Sequence, residues 1–379
     1  MSFGEWSQRD DSTIARYSPD VYVQGSFRLG TAIRPSTEDG EYDIDLVCVL
    51  QALGKGKLTQ AKLRELLETE VRSYHRANGM KKPVSSGRRC WTLEYADGAQ
   101  FHMDILPAIP NADAQRILLE ARGLDASFAE TAIAITDNEH PAFSLISDDW
   151  PRSNPKGYAD WFKRRMAEVF DRIRKELAEA QTRKGVRASV EDIPEYRVRT
   201  PLQQAVMILK RHRDDMFEND PDNKPISIII TTLAGHAYDG EVDTPTALLN
   251  ILERMENHIF HDGEDYIIAN PSDATENFAD RWKKYPERAE AFFKWLAQAR
   301  ADFLALAALT NYETMSESRE IIVSSTLRKR AYDRIMKGGS ASLLGEATTA
   351  PATAGNDYSF TNEPRKPQAP RDFACHFGG

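Results

Sequence analysis

The nine residues Tyr42-Asp43-Ile44-Asp45-Leu46-Val47-Cys48-Val49-Leu50 constrain what this chain can fold into more than any other stretch. Their apolar, partly β-branched character reads as a strand, in which side chains two apart share a face. Asp43 and Asp45 therefore project together, and Val47 and Val49 continue the same face into a core. A buried strand with two carboxylates at its beginning repels itself unless cations sit between them. An isolated Asp-x-Asp also fits a solvent-facing strand end.

A closely similar pattern recurs in Phe101-His102-Met103-Asp104-Ile105-Leu106, again a carboxylate among apolar residues. The Asp97-Gly98 pair is a tight-turn signal, so 89–95 and 100–107 are expected to form an antiparallel hairpin with Asp104 on its second strand. With the helical pattern at Leu58 to His75, residues 21–110 read as a small mixed sheet with helices. Three such carboxylates suit two Mg²⁺ ions roughly 4 Å apart, with Mn²⁺ as a substitute, which bridge triphosphate oxygens, activate an attacking hydroxyl and stabilise leaving pyrophosphate. Asp43 and Asp45 are assigned to both metals, and Asp104 to the metal at the nucleophile, where it can also take the proton.

Upstream, Val21-Tyr22-Val23 followed by Gln24-Gly25-Ser26-Phe27-Arg28-Leu29-Gly30-Thr31 reads as strand, glycine turn and short helix. Gly25 permits close backbone approach to phosphate, and the helix-start amides with the Ser26 hydroxyl are placed to meet β- and γ-phosphates. The competing reading of Ser26 is the N-cap of a surface helix.

The 379 residues suggest two domains and a tail: 1–150 a catalytic lobe, 151–337 a helical lobe, and 338–379 a flexible tail of Gly, Ser, Ala, Thr and Pro. Helical periodicity runs over Tyr158–Arg183, Pro201–Arg213, Thr244–Ile259 and Phe278–Thr310, with Thr200, Pro201 and Gln203 forming a capping-box start. Within them Phe292, Phe293, Trp295 and Leu296 are expected to be core, and His258 with His261 lacks the further ligands of a metal site.

No apolar run approaches the roughly 18 residues of a membrane span, and the first ten residues have neither the basic start nor the apolar stretch of a secretory signal, so a cytoplasmic protein with no membrane partner is expected. Cys48, Cys90 and Cys375 are far apart and odd in number, which fits reduced thiols and no structural zinc. A net charge of −9 is the wrong sign for a protein whose main partner is a long polyphosphate chain, although Lys81 to Arg89 carries four positive charges in nine residues.

Taken together, Gly25-Ser26, Thr31, Arg34-Pro35, Asp43-x-Asp45 and a third Asp on a hairpin resemble the polymerase-beta-like nucleotidyltransferases, and within them the CD-NTase family, bacterial relatives of animal cyclic GMP-AMP synthase. The resemblance extends to Leu209-Lys210-Arg211-His212-Arg213 and Pro225-Ile226-Ser227, similar to the family's Lys and Ser that hold the donor triphosphate, and to Ala269-Asn270-Pro271 and Glu276 to Trp282. It covers roughly residues 20–335 and implies an α/β (α+β) fold: a palm with a mixed sheet, a helical C-terminal lobe, and the active site in the cleft. It also implies cyclic di- or trinucleotide synthesis from ATP or other NTPs in antiphage defence, with a downstream effector that binds the product. On residues alone, Lys210 and Arg213 fit a solvated helix face and Ser227 a helix cap.

Three departures stand against the family pattern. Sixteen residues separate Ser26 from Asp43, with Pro35 to Gly40 as the expected extra loop; the animal enzyme's zinc insert is lacking, which with the acidic charge argues against DNA activation; and Ile226 to Thr232 is β-branched where the family's Ser opens a helix. The same chemistry with another acceptor, on RNA or tRNA or towards linear oligoadenylate, is the alternative, and no RNA-binding module is evident. A non-catalytic use of the fold is disfavoured by the intact aspartates. The chain ends Phe377-Gly378-Gly379, and many family members are encoded with a fused E1/E2-like transferase, so the resemblance implies Gly379 as a point of conjugation; the competing reading is a disordered end that happens to finish in two glycines.

Overall fold

The computed structural model describes residues 1–34, 42–95, 101–183, 189–191 and 193–308. The expected loop Pro35 to Gly40, the Asp97-Gly98 turn, the tail and Gly379 lie outside these residues.

The described elements run α1 (Phe3–Ser7), β1 (Pro19–Val23), α2 (Gly25–Leu29), β2 (Tyr42–Leu50), α3 (Gln60–Ala77), β3 (Ser85–Ser86), β4 (Trp91–Glu94), β5 (Phe101–Pro110), α4 (Ala112–Ala121), β6 (Ile133–Ile135) and β7 (Arg152–Ser153). They continue with α5 (Pro155–Arg183), α6 (Pro201–Met216), α7 (Ser227–Ala237), α8 (Thr244–Arg254), β8 (Phe260–His261), β9 (Tyr266–Ile267), β10 (Ala269–Asn270), β11 (Asp273–Asn277), α9 (Arg281–Lys284) and α10 (Pro286–Ala308).

The main sheet has the order β1-β2-β5-β4-β3, with β6 on the later part of β5 and β7 beside β6. β2 and β5 run parallel and the other neighbours antiparallel, so the sheet is mixed and contains the expected β4–β5 hairpin. Strand alternation sorts β2 onto two faces. Leu46, Cys48 and Leu50 join Leu93, Ile105, Ile109 and the α3 residues Leu63, Leu67 and Val71 in one core, while Val47 and Val49 join Leu106, Ala108, Ile133 and Ile135 on the opposite side. Each fully buried aliphatic side chain contributes on the order of 1.5–3 kcal/mol. α3 starts where Thr59 accepts a hydrogen bond from the Lys62 amide, a side-chain N-cap.

A separate core gathers the helices that follow, around Phe162, Leu209, Leu233, Tyr238, Ile251, Phe292 and Trp295. The expected stripe on α10 is there: Phe292, Trp295 and Leu296 are buried, with Phe293 packed against them. The capping box at Thr200 is also present, both of its hydrogen bonds made.

Several boundaries differ from expectation. The β-branched run after Ile226 is the helix α7, buried on almost every side, so packing among helices overrides β propensity there. The last helical stretch divides at Pro286, whose missing N–H and ring geometry separate α9 from α10. Cys48 is a buried free thiol, and Cys375 lies outside the described residues. No helix among the described residues is long and apolar enough to cross a membrane.

Candidate active site

The parallel register of β2 and β5 sets Asp43 beside His102 and Asp45 beside Asp104. Because both strands alternate in step, all four side chains project from one face, the face that Val47, Val49, Leu106 and Ala108 continue into the core. His102 Nε2 lies 3.2 Å from Asp43 Oδ1. Ligand atoms of Asp43, His102 and Asp104 fall within 4.8 Å of one another, a spacing one divalent cation can bridge. His102 was not singled out from the sequence; the signal for it was its position two before Asp104, which puts it on the carboxylate face.

Asp45 is placed by the turn before α2. Gln24 donates its backbone N–H to the Asp45 carbonyl at 2.9 Å, and the chain then bends through Gly25 at φ +62°. A Cβ on Gly25 would lie 2.3 Å from Asp45 Oδ2, so the carboxylate sits directly against the glycine. Ser26 follows within the first turn of α2, and its carbonyl accepts from the Thr31 amide at 2.9 Å, which folds the end of α2 back on its start.

The electrostatics are those of crowded carboxylates. Burial, then the charges of Asp43 and Asp104, hold Asp45 well above the ordinary carboxylate range. Burial also raises Asp104, with a further push from Asp43, although the Thr92 hydroxyl on β4 donates to its Oδ1 and opposes the shift. Asp43 and Asp104 oxygens at the spacing given above, with the buried Asp45 beside Asp104 in register, share negative charge that a hard divalent cation relieves. The residues therefore fit a metal ion.

Lys210 of α6 is only 4 % exposed and donates to the Thr31 carbonyl at 3.1 Å. Burial pushes its ammonium down to about 8, while the charge of Asp45 pulls the other way. Arg213, also buried, donates to Ser227 Oγ at 2.8 Å and to the Pro225 carbonyl at 3.0 Å. Neither cation lies on a solvated helix face, and Ser227 opens α7 as the resemblance implied. Arg89, the last residue of the basic run Lys81 to Arg89, lines a small cavity with Gln24, Asp45 and Asp104 and pairs with Asp137. The Gln24 Oε1 and Thr31 Oγ1 atoms are buried polar atoms of the same region that no described residue hydrogen-bonds.

Known proteins similar to this chain share its catalytic-domain family match and its fold. Residues 19–107 match the family described as cyclic GMP-AMP synthase DncV-like, nucleotidyltransferase domain. A c-di-GMP synthase of Roseivirga ehrenbergii is 27% identical over 297 residues, covering 78% of this chain and 69% of that protein. The cyclic dinucleotide synthase CdnG of Bradyrhizobium diazoefficiens is 25% identical over 278 residues; the match covers 69% of this chain and spans only 59% of that protein's length. The fold is shared with the structure of that CD-NTase CdnG in complex with GTP, at TM-score 0.57 and 22% identity over 82% of this chain and 84% of that one. It is also shared with Vibrio cholerae DncV in complex with the linear intermediate pppA(3′,5′)pG, at TM-score 0.50 and 16% identity over 81% of this chain and 69% of that one.

Proposed function

We propose that this chain is a nucleotidyltransferase of the CD-NTase family and joins nucleoside triphosphates into a cyclic dinucleotide with release of pyrophosphate. The observation that carries the reading is the β2–β5 register, which assembles Asp43, Asp45, His102 and Asp104 on one face beneath the Gly25-Ser26 turn. The two similar synthases that carry such names, one for c-di-GMP, make guanylate the first base to test.

In this reading Asp43, Asp45 and Asp104 hold Mg²⁺, or Mn²⁺ in its place. The ions, when bound, lower the pKa of the attacking ribose hydroxyl and neutralise charge on the triphosphate. The protein's own groups do the rest. Amides at the start of α2 and the Ser26 hydroxyl receive the terminal phosphates; Lys210 and Ser227 hold the donor from the helical side; Asp104 takes the proton of the attacking hydroxyl. A second transfer closes the ring. We further propose residues 1–150 as the catalytic lobe, 151–337 as the helical lobe that completes the nucleotide site, and antiphage signalling as the role of the product.

Incubation with each labelled NTP and Mg²⁺ or Mn²⁺ tests the reading. A labelled product resistant to alkaline phosphatase is expected, since a closed ring has no terminal phosphate. Only phosphatase-sensitive oligomers, or label transferred to added RNA, would point to a different acceptor.

Lys210→Ala and Ser26→Ala are expected to raise KM for NTP by roughly 10-fold with activity retained, because several donors share the same triphosphate. The Lys210 effect should depend on pH. Its ammonium is charged below about 8 and loses its proton above, so the ratio of wild-type to Lys210→Ala kcat/KM should be largest below that pH and shrink as pH rises through it. A ratio flat across pH 6.5–9.5 would remove Lys210 from phosphate binding.

A further inference from the structure

The carbonyls at the end of α2 and just beyond it are turned towards one segment of the helical region. Leu29 O accepts from Gln203 Nε2 at 2.9 Å, Gly30 O from Arg199 Nη1 at 2.8 Å, and Thr31 O from Lys210 Nζ at 3.1 Å. Arg211 reaches the Arg34 carbonyl in the same way. Gln203 and Lys210 are seven residues apart on α6 and so lie on one helix face, the face that meets this loop.

Gln203 differs from the other donors because both ends of its amide are committed. Its Oε1 accepts from the Thr200 backbone N–H at 3.0 Å and completes the capping box of α6, which leaves Nε2 for Leu29. The residue is 7% exposed, so neither hydrogen bond has water as a ready substitute. The loop is shaped around it: Gly30 adopts φ +66°, and a Cβ there would lie 2.5 Å from Gln203 Nε2. Only glycine lets the chain pass this close.

We infer that Gln203 is a positioning residue for the phosphate-receiving turn, its oxygen capping the helix that carries Lys210 and its nitrogen fixing the helix that carries Ser26. One side chain thereby sets the two helices that face the triphosphate relative to each other. The inference rests on the proposed nucleotidyltransferase reading of the Gly25-Ser26 turn. Gln203 acts through the loop, so its loss appears as weakened nucleotide binding.

The two ends of the amide can be separated. Gln203→Glu keeps the capping oxygen, and Glu at this capping-box position, next to a helix N-terminus, is at least as good a cap. It replaces the donor to Leu29 with an oxygen that faces a carbonyl. Thr200→Val does the reverse, removing the hydroxyl that accepts from the Gln203 backbone amide and lies 3.3 Å from Gln203 Oε1, while the Nε2 donor to Leu29 is kept. The experiment is a titration of the full chain and both variants with a non-hydrolysable GTP analogue and Mg²⁺, with thermal melts as the control for folding.

Gln203→Glu should bind the analogue on the order of tenfold more weakly. Thr200→Val should melt earlier yet bind within about twofold of wild type. Should Gln203→Glu fail to fold, Gln203→Met, which removes the donor without adding charge, is expected to show the same loss of affinity. Wild-type affinity in the folded Gln203 variant, or an equal loss in Thr200→Val, overturns the assignment. If the unaltered, folded protein binds no analogue, the nucleotidyltransferase reading fails and the positioning role falls with it.

Discussion

Replacing Asp45 with alanine is expected to lower nucleotide turnover by on the order of 10³-fold or more while the melting temperature, measured without divalent cations, stays level or rises. Activity and stability part company because the site stores repulsion. Burial and the neighbouring charges of Asp43 and Asp104 raise the Asp45 carboxyl, and burial with Asp43 raises Asp104. A carboxylate whose folded pKa lies above its unfolded value contributes stability that is fully present below the unfolded pKa and lost as pH rises through the folded one. Near neutral pH the metal-free cluster therefore destabilises the fold, and deleting one member relieves it. Divalent cation should raise the melting temperature of the wild type and do so much less for Asp45→Ala. Pyrophosphate release and thermal melts with and without Mn²⁺ check both halves. A wild-type rate in the variant, or a large fall in its metal-free melting temperature, would contradict the assignment. Asp43→Ala should lose activity in the same way.

The second large effect belongs to Gly25→Ala, for which we expect a fall in kcat/KM of roughly 10²-fold with the fold retained. The added methyl would lie 2.3 Å from Asp45 Oδ2, closer than nonbonded atoms come, and 3.3 Å from its Cγ. The residue also needs φ +62°, which costs an L-residue about 1–2 kcal/mol. Either the turn opens and withdraws the α2 amides, or Asp45 leaves its place; both damage the same site. Gly54→Ala is the matched control, since a Cβ there meets nothing within 4 Å. Steady-state kinetics of the two variants decide the matter: equal and unchanged activity would show that the turn does not need its glycine.

Much of this arrangement is legible in the sequence for a simple reason. The period of a strand is two, so Asp43, Asp45, Val47 and Val49 had to share a face, and the structure puts them on one. The glycine turn and the capping box at Thr200 were readable because few residue types satisfy those backbone positions. What could not be read was the relation between distant strands. That β2 and β5 are parallel neighbours, with Asp45 opposite Asp104 and Asp43 opposite His102, follows from packing across more than fifty residues of chain.

The hairpin register was equally hidden. A two-residue turn at Asp97-Gly98 would set Trp91 opposite Asp104, whereas the structure pairs Thr92 with Asp104 and so gives that carboxylate its hydroxyl donor. The burial of Lys210 and Arg213 was missed because charge alone reads as solvated surface. Their partners, the Thr31 carbonyl and Ser227, lie on other elements and are invisible to periodicity. Gln203 was read as a helix cap from its spacing to Thr200, and nothing local announced that its other end reaches α2.

The central claim, a catalytic carboxylate face that joins nucleotides into a ring, is tested most directly by the mass of the product. The full chain, incubated with ATP, GTP, CTP and UTP and Mn²⁺ or Mg²⁺, should yield a species whose intact mass equals two nucleoside monophosphates less two waters, guanylate among them. It should resist phosphatase and open on phosphodiesterase treatment, and it should be missing with Asp45→Ala. Pyrophosphate release without any such cyclic species, or linear chains as the sole product, would contradict the account.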